Sequence, residues 1–384
     1  MSINNRMLWG IRLYYFAWLG SGGFLLPFIN LFYVRQGLTG AEVGTLGTVG
    51  AIVTIMIAPM WGRWSDSTSH PRRLLQVSLI GLAVCYLLLS QQNNFWPMAV
   101  VTGLLALIGA GVGPLSDSLT LGITGANKAG YGSVRLWGSL GWAIMAYLSG
   151  LIIERSGLFS AFVGYAVGLG GSVVILSLAG VGEAVSTRPT AAIRRGSIAG
   201  VFKNPALLAL AVSLGLVLLS GNPQVQFEPV YLDQLGAGEG VIGFASTIGA
   251  VVELPAMLWA DRLIRKYGPG RIFQIFLIMK AAILGITLLA PSVPMLIAMR
   301  AANGVSFSFF AVSQTMLVAE QAAPEQRTIA LAVFGVTLPA LLRIISGPLG
   351  GLAFDAFGAY WLYAIAMVGH LLAWVAIRMM MKGK

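Results

Sequence analysis

Twelve apolar segments, each long enough to cross a membrane as a helix, run through the 384-residue chain. A helix needs about 20 apolar residues to span the hydrocarbon core. The composition agrees, because 57% of the residues are hydrophobic, 10% are charged and the mean hydropathy is +0.83. We therefore predict an all-α membrane protein with twelve transmembrane helices. The predicted spans are 10–34, 41–61, 74–90, 96–121, 134–153, 158–180, 205–232, 240–259, 272–290, 293–318, 328–353 and 358–378.

The basic residues predict the orientation of these spans. The formal net charge is +11, but most lysines and arginines lie in alternate short loops, for example Arg72 with Arg73 and Arg265 with Lys266. This positive-inside distribution predicts that both termini are cytoplasmic. The positive charge thus indicates membrane topology, and we expect a lipid bilayer rather than a nucleic acid as the partner of the chain.

The two halves of the chain resemble each other. A shift of 199 residues places Gly44 on Gly243 and Thr48 on Thr247. A parallel repeat of six spans is typical of secondary transporters, so we expect two pseudo-symmetric bundles of six helices. The predicted division is an N-terminal bundle at 1–181, a cytoplasmic linker at 182–204 and a C-terminal bundle at 205–384.

Two residues of opposite charge fall within predicted spans of the first half. Asp117 lies in the fourth span and Arg135 at the start of the fifth. An ionisable group costs roughly 2.5–3.5 kcal/mol at the centre of a membrane helix, so such residues indicate a function. Trp142 follows in the fifth span, where its indole face could cover the apolar side of a ring. The three residues predict a site for a polar solute; the alternative is an inter-helix ion pair with Trp142 as an interface anchor.

The second half has its own charges within predicted spans. Glu253 lies in the middle of the eighth span, where the repeat partner Thr54 has no acid. Lys280 and Arg300 lie in the ninth and tenth spans. A base that approaches or leaves a buried carboxyl group changes its proton affinity. We predict that Glu253, with these two bases, couples protons to transport; a structural ion pair is the alternative.

Other polar residues of the spans remain open to two interpretations. Glu228 and Gln224, near the outer end of the seventh span, either face a cavity or serve as a solvated helix-end acid and as a partner to neighbouring side chains. Tyr14 and Tyr15 either line a cavity or pack in the core, and core packing is slightly favoured.

Metal and cofactor chemistry is not expected. Cys85 is the single cysteine, and His70 and His370 are the two histidines, which is too few for a metal site. The sequence contains no phosphate-binding loop and no catalytic triad pattern. We predict no cofactor and no enzyme activity.

The loop after the second span resembles the gating loop of the major facilitator superfamily. It reads Gly62-Arg-Trp-Ser-Asp66 and continues into Pro71-Arg72-Arg73. In that superfamily the acid and the basic residues of this loop clamp helix ends in the outward-open state. The resemblance implies the major facilitator fold and a gating role for Gly62, Asp66, Arg72 and Arg73.

A narrower resemblance involves the fourth and fifth spans. The segments Gly113-Pro-Leu-Ser-Asp117 and Tyr131-Gly-Ser-Val-Arg135, with Trp142 downstream, resemble helices of lactose permease and its relatives, the nucleoside symporters and the phenylpropionate permease group. In lactose permease the matching acid and arginine bind sugar hydroxyls, and the matching tryptophan stacks on the sugar ring. The resemblance implies that Asp117, Arg135 and Trp142 bind substrate.

The tenth span departs from that pattern. Asn303 stands where lactose permease has a histidine of its proton relay, and Ser306 stands where it has an acid. We assign Asn303 to substrate binding. Protons would then depend on Glu253, which resembles the eighth-helix glutamate of lactose permease, with Asp117 as a second candidate.

These patterns predict a monomeric secondary transporter of the inner (plasma) membrane. It would import a small polar solute, such as a sugar, a nucleoside or an aromatic acid, together with protons by alternating access. Proton-coupled export of drugs or sugars is the alternative within transport. Import is preferred because Leu104–Gly113 lacks the basic residue, and Gly138–Trp142 the proline, that drug exporters of the superfamily usually carry. A receptor or scaffold that no longer transports is the alternative from another class.

Overall fold

The computed structural model describes residues 5–68, 70–124, 128–179 and 198–381. The side chains of 62, 65–67, 128–130, 198, 199, 380 and 381 lie outside that description, as does most of the predicted linker at 182–204. Within the described residues all regular structure is helical, and twelve helices are long and apolar enough to cross a membrane. The predicted all-α membrane fold with twelve spans is confirmed.

The twelve long helices are numbered α1 to α12 in chain order. They are α1 Asn5–Arg35, α2 Gly40–Ser67, α3 Pro71–Leu89, α4 Phe95–Thr124, α5 Lys128–Ser156, α6 Phe159–Leu178, α7 Pro205–Gln234, α8 Glu239–Tyr267, α9 Pro269–Leu289, α10 Val293–Gln321, α11 Arg327–Phe357 and α12 Ala359–Met381. A short helix, Ile198–Val201, precedes α7.

Three of these helices are interrupted. α1 contains a 3-10 turn at Leu26–Phe28, which includes Pro27, and α11 contains a π-helical turn at Val333–Thr337. α4 consists of two helices separated at Ala110 and Gly111. Proline removes a backbone donor, and π turns frequently mark functional positions. The hydropathy pattern predicted continuous spans, because these interruptions leave the apolar character of the segments unchanged.

The described chain forms two compact units. Unit 1 contains residues 5–38, 49–179 and 238–247, and unit 2 contains residues 39–48, 198–237 and 248–381. The start of α2 therefore packs within unit 2, and the start of α8 packs within unit 1. A shift of 199 residues, the shift of the sequence repeat, places these two segments on each other.

Helix pairing follows the same plan in both units. In unit 1, α1 packs against α5 and α6, and α3 packs against α4 and α6. In unit 2, α7 packs against α11 and α12, and α9 packs against α10 and α12. Helices that correspond by the repeat thus make corresponding contacts.

The turns before α2 and α8 also correspond. Gly37 has φ of 88° and Gly236 has φ of 85°, a region that residues with a Cβ atom rarely adopt. The Gly37 amide donates to the carbonyl of Val34, and the Gly236 amide donates to that of Asp233. The repeated glycines are therefore explained by the same helix-terminating turn.

A carboxylate caps the first turn of α2 and another caps the first turn of α8. The starts of these two helices, residues 39–48 and 238–247, are called the exchanged segments, because each packs within the unit formed mainly by the other half of the chain. In unit 2, Asp355 accepts hydrogen bonds from the amides of Gly40 at 2.6 Å and Ala41 at 2.9 Å. In unit 1, Glu154 accepts a hydrogen bond from the amide of Gly240 at 3.2 Å. The first amides of a helix have no intrahelical partner and carry a partial positive charge, so an acid stabilises both helix starts.

Small residues bring the backbones together next to these caps. A side chain on Gly44 would overlap the carbonyl of Gly347 in unit 2, and a side chain on Gly243 would overlap the carbonyl of Ala146 in unit 1. Glycine is therefore required at both repeat positions, as in other membrane helices that pack closely.

A threonine follows each of these glycines by one helical turn. The Thr48 hydroxyl donates to the carbonyl of Ile344 at 2.9 Å, and the Thr247 hydroxyl donates to the carbonyl of Ala143 at 2.7 Å. The sequence repeat thus preserves a packing contact together with a hydrogen bond.

Candidate functional site

Unit 1 holds a polar cluster around Asp117, which lies on the second half of α4. The hydroxyl of Tyr15 donates to Asp117 Oδ1 at 2.7 Å, and the hydroxyl of Tyr131 donates to the same oxygen at 2.9 Å. No described residue donates to Oδ2, and the Asp117 side chain is only half-buried. The carboxylate is therefore fixed by one oxygen, while the other is available to a solute hydroxyl.

A third tyrosine, Tyr14, packs beside this arrangement. The hydroxyls of Tyr14 and Ser116 share a hydrogen bond of 2.6 Å, and the Tyr14 ring stacks on Trp18 with centroids 5.8 Å apart. Tyr14 and Tyr15 are both fully buried. Tyr14 thus serves packing, whereas Tyr15 reaches the acid. The name Asp117 cluster is used below for Tyr14, Tyr15, Ser116, Asp117 and Tyr131.

Arg135 is not ion-paired with Asp117. It lies one turn beyond Tyr131 on α5, is exposed, and interacts electrostatically with the Tyr131 hydroxyl. Tyr131 therefore stands between the two charges that the sequence singled out. Its place in the motif was evident, but its role as a donor to Asp117 was not predicted.

Trp142 lies further along α5. It follows Arg135 by seven positions, which corresponds to about 10 Å along a helix. A side chain on Gly22 or Gly23 of α1 would collide with Trp142, so this residue packs directly against α1. It remains half-buried, and part of its surface is free to contact a ligand.

Unit 2 holds a second polar cluster, formed by α7, α9, α10 and α12. Arg300 makes an ion pair with Glu228, with Nη1 2.8 Å from Oε1. The Gln224 amide donates to the other oxygen of Glu228 at 2.9 Å. Lys280 donates to Asn303 Oδ1 at 2.5 Å. The name Lys280 pocket is used below for the cavity lined by Gln224, Glu228, Lys280, Arg300, Asn303 and Tyr363.

The Lys280 pocket is small, with a cavity volume of about 20 Å³. Its remaining lining is mostly apolar and comprises Ile283, Leu284, Thr287, Leu296 and Met299. The pocket therefore combines apolar surface with a few polar groups, and its volume is about that needed to hold one water molecule. Sequence reasoning left the role of Glu228 and Gln224 open and did not single out Tyr363, because an isolated tyrosine in an apolar span gives no signal of its neighbours.

Glu253 lies apart from these interactions. It is half-buried on α8, and its carboxylate makes no hydrogen bond or ion pair with a described residue. Arg300 passes next to Gly249, one turn before Glu253, on its way to Glu228. Lys280, Arg300 and Asn303 are therefore brought together with Glu228, whereas Glu253 has no partner of opposite charge among the residues that the structure describes.

The predicted gating residues are described only in part. Asp66 lies at the end of α2, but the side chains of Gly62 and Asp66 fall outside the described part of the structure. Arg72 is half-buried and Arg73 is exposed in the first turn of α3. In the second half, Asp261 at the corresponding end of α8 forms an ion pair with Arg265.

Comparison with known proteins identifies the family. The model of the MFS_1-like family matches residues 8–365. The chain belongs to this family. It is therefore a transporter of the major facilitator superfamily, a multi-pass protein of the bacterial inner membrane, and not an enzyme. The superfamily and the location predicted from sequence are confirmed.

The relatives in sequence carry names that refer to different solutes. The chain is 27% identical to a maltose permease of Geobacillus stearothermophilus over 277 residues, which cover 70% of this chain and 68% of that protein. It is 25% identical to the multidrug resistance protein MdtG of Escherichia fergusonii over 288 residues, 70% of each chain. The family is therefore established, while the transported solute differs among its relatives.

Solved structures support the same fold. A mutant form of the nucleoside transporter NupG superposes with a TM-score of 0.80 over 97% of this chain and 99% of that chain, at 16% identity. A bacterial homologue of the iron transporter ferroportin superposes with a TM-score of 0.77, at 16% identity. At this level of identity the similarity demonstrates the major facilitator fold alone.

Proposed function

We propose that this transporter imports a small polar organic solute, such as a sugar, a nucleoside or an aromatic acid, together with protons by alternating access, and that it acts as a monomer. The observation that carries the proposal is the Asp117 cluster. A carboxylate held by two tyrosine hydroxyls, with its second oxygen open and Arg135 close by, is suited to bind vicinal hydroxyl groups.

Substrate binding is assigned to Asp117, Arg135, Trp142 and Asn303. The exposed guanidinium of Arg135 offers several donors in a fixed fork, and the half-buried indole of Trp142 offers an apolar face. Asn303 contributes from the Lys280 pocket, where its carbonyl already accepts a bond from Lys280 and its amide nitrogen can donate to a solute.

Proton coupling is assigned to Glu253, with Lys280, Arg300 and Asp117 as further participants. A half-buried carboxylate without a partner can take up a proton without breaking an ion pair. If Arg300 exchanges Glu228 for Glu253 during the transport cycle, the proton on Glu253 is released. This exchange requires only that the Arg300 side chain changes its partner, since it already lies next to Gly249, one turn before Glu253.

Gating is assigned to Gly62, Asp66, Arg72 and Arg73. The assignment follows from the sequence of the loop between α2 and α3. In this proposal the Asp66 carboxylate holds helix ends together in the outward-open state, and its release permits the inward-open state.

Export is the second candidate. It is favoured by the 25% identity to MdtG, which is named a multidrug resistance protein. The same clusters would then bind a solute from the cytoplasmic side and exchange it for protons.

The test uses purified protein in proteoliposomes. Labelled sugars, nucleosides, aromatic acids and cationic drugs are offered with and without a pH gradient, acidic on the side that corresponds to the cell exterior. Accumulation of one class that depends on the gradient supports import. Gradient-driven efflux supports export, and the absence of movement for every class contradicts transport.

A further inference from the structure

Arg343 lies in the middle of α11, in unit 2. At 1.5 Å per residue it is about 24 Å along the helix from Arg327 and about 21 Å from Phe357, the two ends of α11. The hydrocarbon core is about 30 Å thick, so an arginine side chain at this depth does not reach either interface. A charge placed there is costly in lipid and is retained where it faces the protein interior or water.

The packing of α11 shows that Arg343 points away from lipid. Residues three and four positions after it, Ser346 and Gly347, share its face of the helix. The side-chain amide of Asn222 in α7 donates to the Ser346 hydroxyl at 3.2 Å. A side chain on Gly347 would overlap the carbonyl of Gly44 in α2. The face that carries Arg343 is therefore the one that α11 turns toward other helices of unit 2.

The opposite face of α11 is apolar. Leu341 and Ile345 lie two positions before and after Arg343, Leu352 lies nine positions after it, and all three are exposed, as expected of side chains in contact with lipid. Arg343 is also exposed, although it lies on the packed face. That face is consequently open to water at the depth of Arg343.

Arg343 has no acid that balances its charge. It makes no hydrogen bond or ion pair with a described residue, whereas Arg300, the arginine of α10, is paired with Glu228. A guanidinium group presents its donors in a planar fork, and this fork matches the two oxygens of a carboxylate. A free fork that faces water within the membrane is suited to bind an anion that enters from water.

A π-helical turn sets the face on which Arg343 lies. The turn spans Val333–Thr337, and the side-chain amide of Gln314 in α10 donates to the carbonyl of Phe334 at 3.0 Å. An i→i+5 turn contains one residue more than an α-helical turn, so it changes the face of all later residues, and such turns are frequent at functional sites. The orientation of Arg343 is thus stabilised by a side chain of a neighbouring helix.

We propose that Arg343 binds the carboxylate of the transported solute, which is a small organic acid. The guanidinium group donates two parallel hydrogen bonds to the two carboxylate oxygens, and its single charge balances that of the acid. This inference rests on the proposed transport function. Among the solutes considered there, it selects acids over neutral sugars and nucleosides.

The first test asks whether Arg343 faces water. Arg343→Cys and Ile345→Cys are made in a Cys85→Ser protein, and both sides of the proteoliposome membrane receive a negatively charged methanethiosulfonate reagent. Arg343→Cys is expected to react, and Ile345→Cys, on the apolar face, is expected to remain unmodified. Equal reaction at the two positions, or reaction at Ile345→Cys alone, overturns the inference.

The second test measures thermal stabilisation of the purified, detergent-solubilised protein by ligands that differ only in charge. Benzoate, 3-phenylpropionate and glucuronate are each compared with the corresponding amide at equal ionic strength, and sodium phosphate is the inorganic anion. At least one acid is expected to raise the melting temperature in a saturable manner, while its amide is at least roughly tenfold weaker. The inference is overturned if no acid exceeds its amide, or if phosphate stabilises as well as the acids.

Matched variants connect acid binding to Arg343. Arg343→Gln is expected to weaken the acid to the level of its amide, at least roughly tenfold, and to leave the amide unchanged. Arg343→Lys should retain part of the preference for the acid, because it keeps the charge but not the fork. Arg327→Gln, at an exposed position in the first turn of the same helix, should bind as wild type. Unchanged acid affinity in folded Arg343→Gln protein, or an equal loss for acid and amide, contradicts the assignment.

Transport separates this inference from the proposed function. Proteoliposomes that move a neutral sugar or nucleoside but no acid contradict the role of Arg343 and leave the transporter proposal intact. Acid binding that depends on Arg343, without movement of any solute, contradicts the transport proposal and also the assignment of the acid as its substrate.

Discussion

The Asp117 cluster and the Lys280 pocket occupy two units with the same helix pairing, yet their chemistry is opposite. The first presents a carboxylate with one open oxygen, and the second presents two basic groups around a single acid, with the ammonium group of Lys280 hydrogen-bonded to the neutral side chain of Asn303. At offsets of 199 to 201 residues, Asp117 corresponds to residues 316–318 and Lys280 to residues 79–81, which are all apolar or glycine. The repeat therefore preserves the scaffold, and each unit carries its own polar residues.

The starts of α2 and α8 differ from the two polar clusters, because their residues are the same in both units. Their turn glycines, close-packed glycines and bonded threonines all correspond under the repeat. Packing contacts between backbones tolerate few residue types, so they are preserved in both units. Ligand contacts depend on the solute, which is asymmetric, and symmetry offers them no advantage.

The largest expected effect is at Arg135, which interacts with Tyr131 of the Asp117 cluster. Arg135→Ala is predicted to remove detectable substrate binding, a weakening of roughly a hundredfold, while the protein remains folded and monodisperse. Arg135→Lys should retain little of the substrate affinity, because an ammonium group does not reproduce the guanidinium fork. The affinity of a transported solute is measured by binding to purified protein. Arg265→Ala, which removes an exposed arginine, is the control, and unchanged affinity in Arg135→Ala would assign that residue a structural role.

The next prediction separates the two glutamates of unit 2. Glu253→Gln mimics a permanently protonated carboxyl group, so solute exchange down a gradient should persist while uphill accumulation driven by a pH gradient is lost. Glu228→Gln should instead impair binding, because it leaves Arg300 without its ion pair. Counterflow and accumulation in proteoliposomes measure both properties. If Glu253→Gln still concentrates solute, the protons travel elsewhere, and Asp117 is tested next.

A smaller effect is expected at the gating loop. Asp66→Asn is predicted to shift the equilibrium toward the inward-open state by about tenfold or more, since one charge-assisted contact contributes about 1.5–3 kcal/mol. Asp261→Asn, at the corresponding end of α8, breaks an exposed i,i+4 ion pair and should change the equilibrium little. Cysteine cross-linking across the cytoplasmic side reports the populations. Equal cross-linking in wild type and Asp66→Asn contradicts the gating role.

The smallest effect is expected at the two threonines that correspond under the repeat, in the starts of α2 and α8. Thr48→Val and Thr247→Val each remove the hydroxyl that bonds a carbonyl of a neighbouring helix and should each destabilise the protein by about 0.6 kcal/mol, a typical value for such interhelical bonds. The preference among solutes should not change in either variant. Thermal unfolding and solute competition measure the two effects. A clear difference between the variants would show that the two exchanged segments are not equivalent.

Much of the fold was determined by the sequence alone. Twelve apolar runs of membrane-spanning length left little choice other than helices, because a backbone in lipid must satisfy its own hydrogen bonds. The repeat of Gly44 with Gly243 and of Thr48 with Thr247 reported the internal symmetry before any contact was known. Asp117 and Arg135 were recognised because charge is rare within a span.

The partners of those charges were decided only by tertiary structure. Tyr15 lies 102 positions from Asp117, and Arg300 lies 72 positions from Glu228. Which residues meet depends on how each helix is rotated and how far it is displaced along its neighbours. Hydropathy records that a segment is apolar, but it does not record the rotation of that segment. For this reason the sequence could only group Arg300 with Glu253 and Lys280 as candidates for proton coupling, and the packing of α7 against α10 paired that arginine with Glu228.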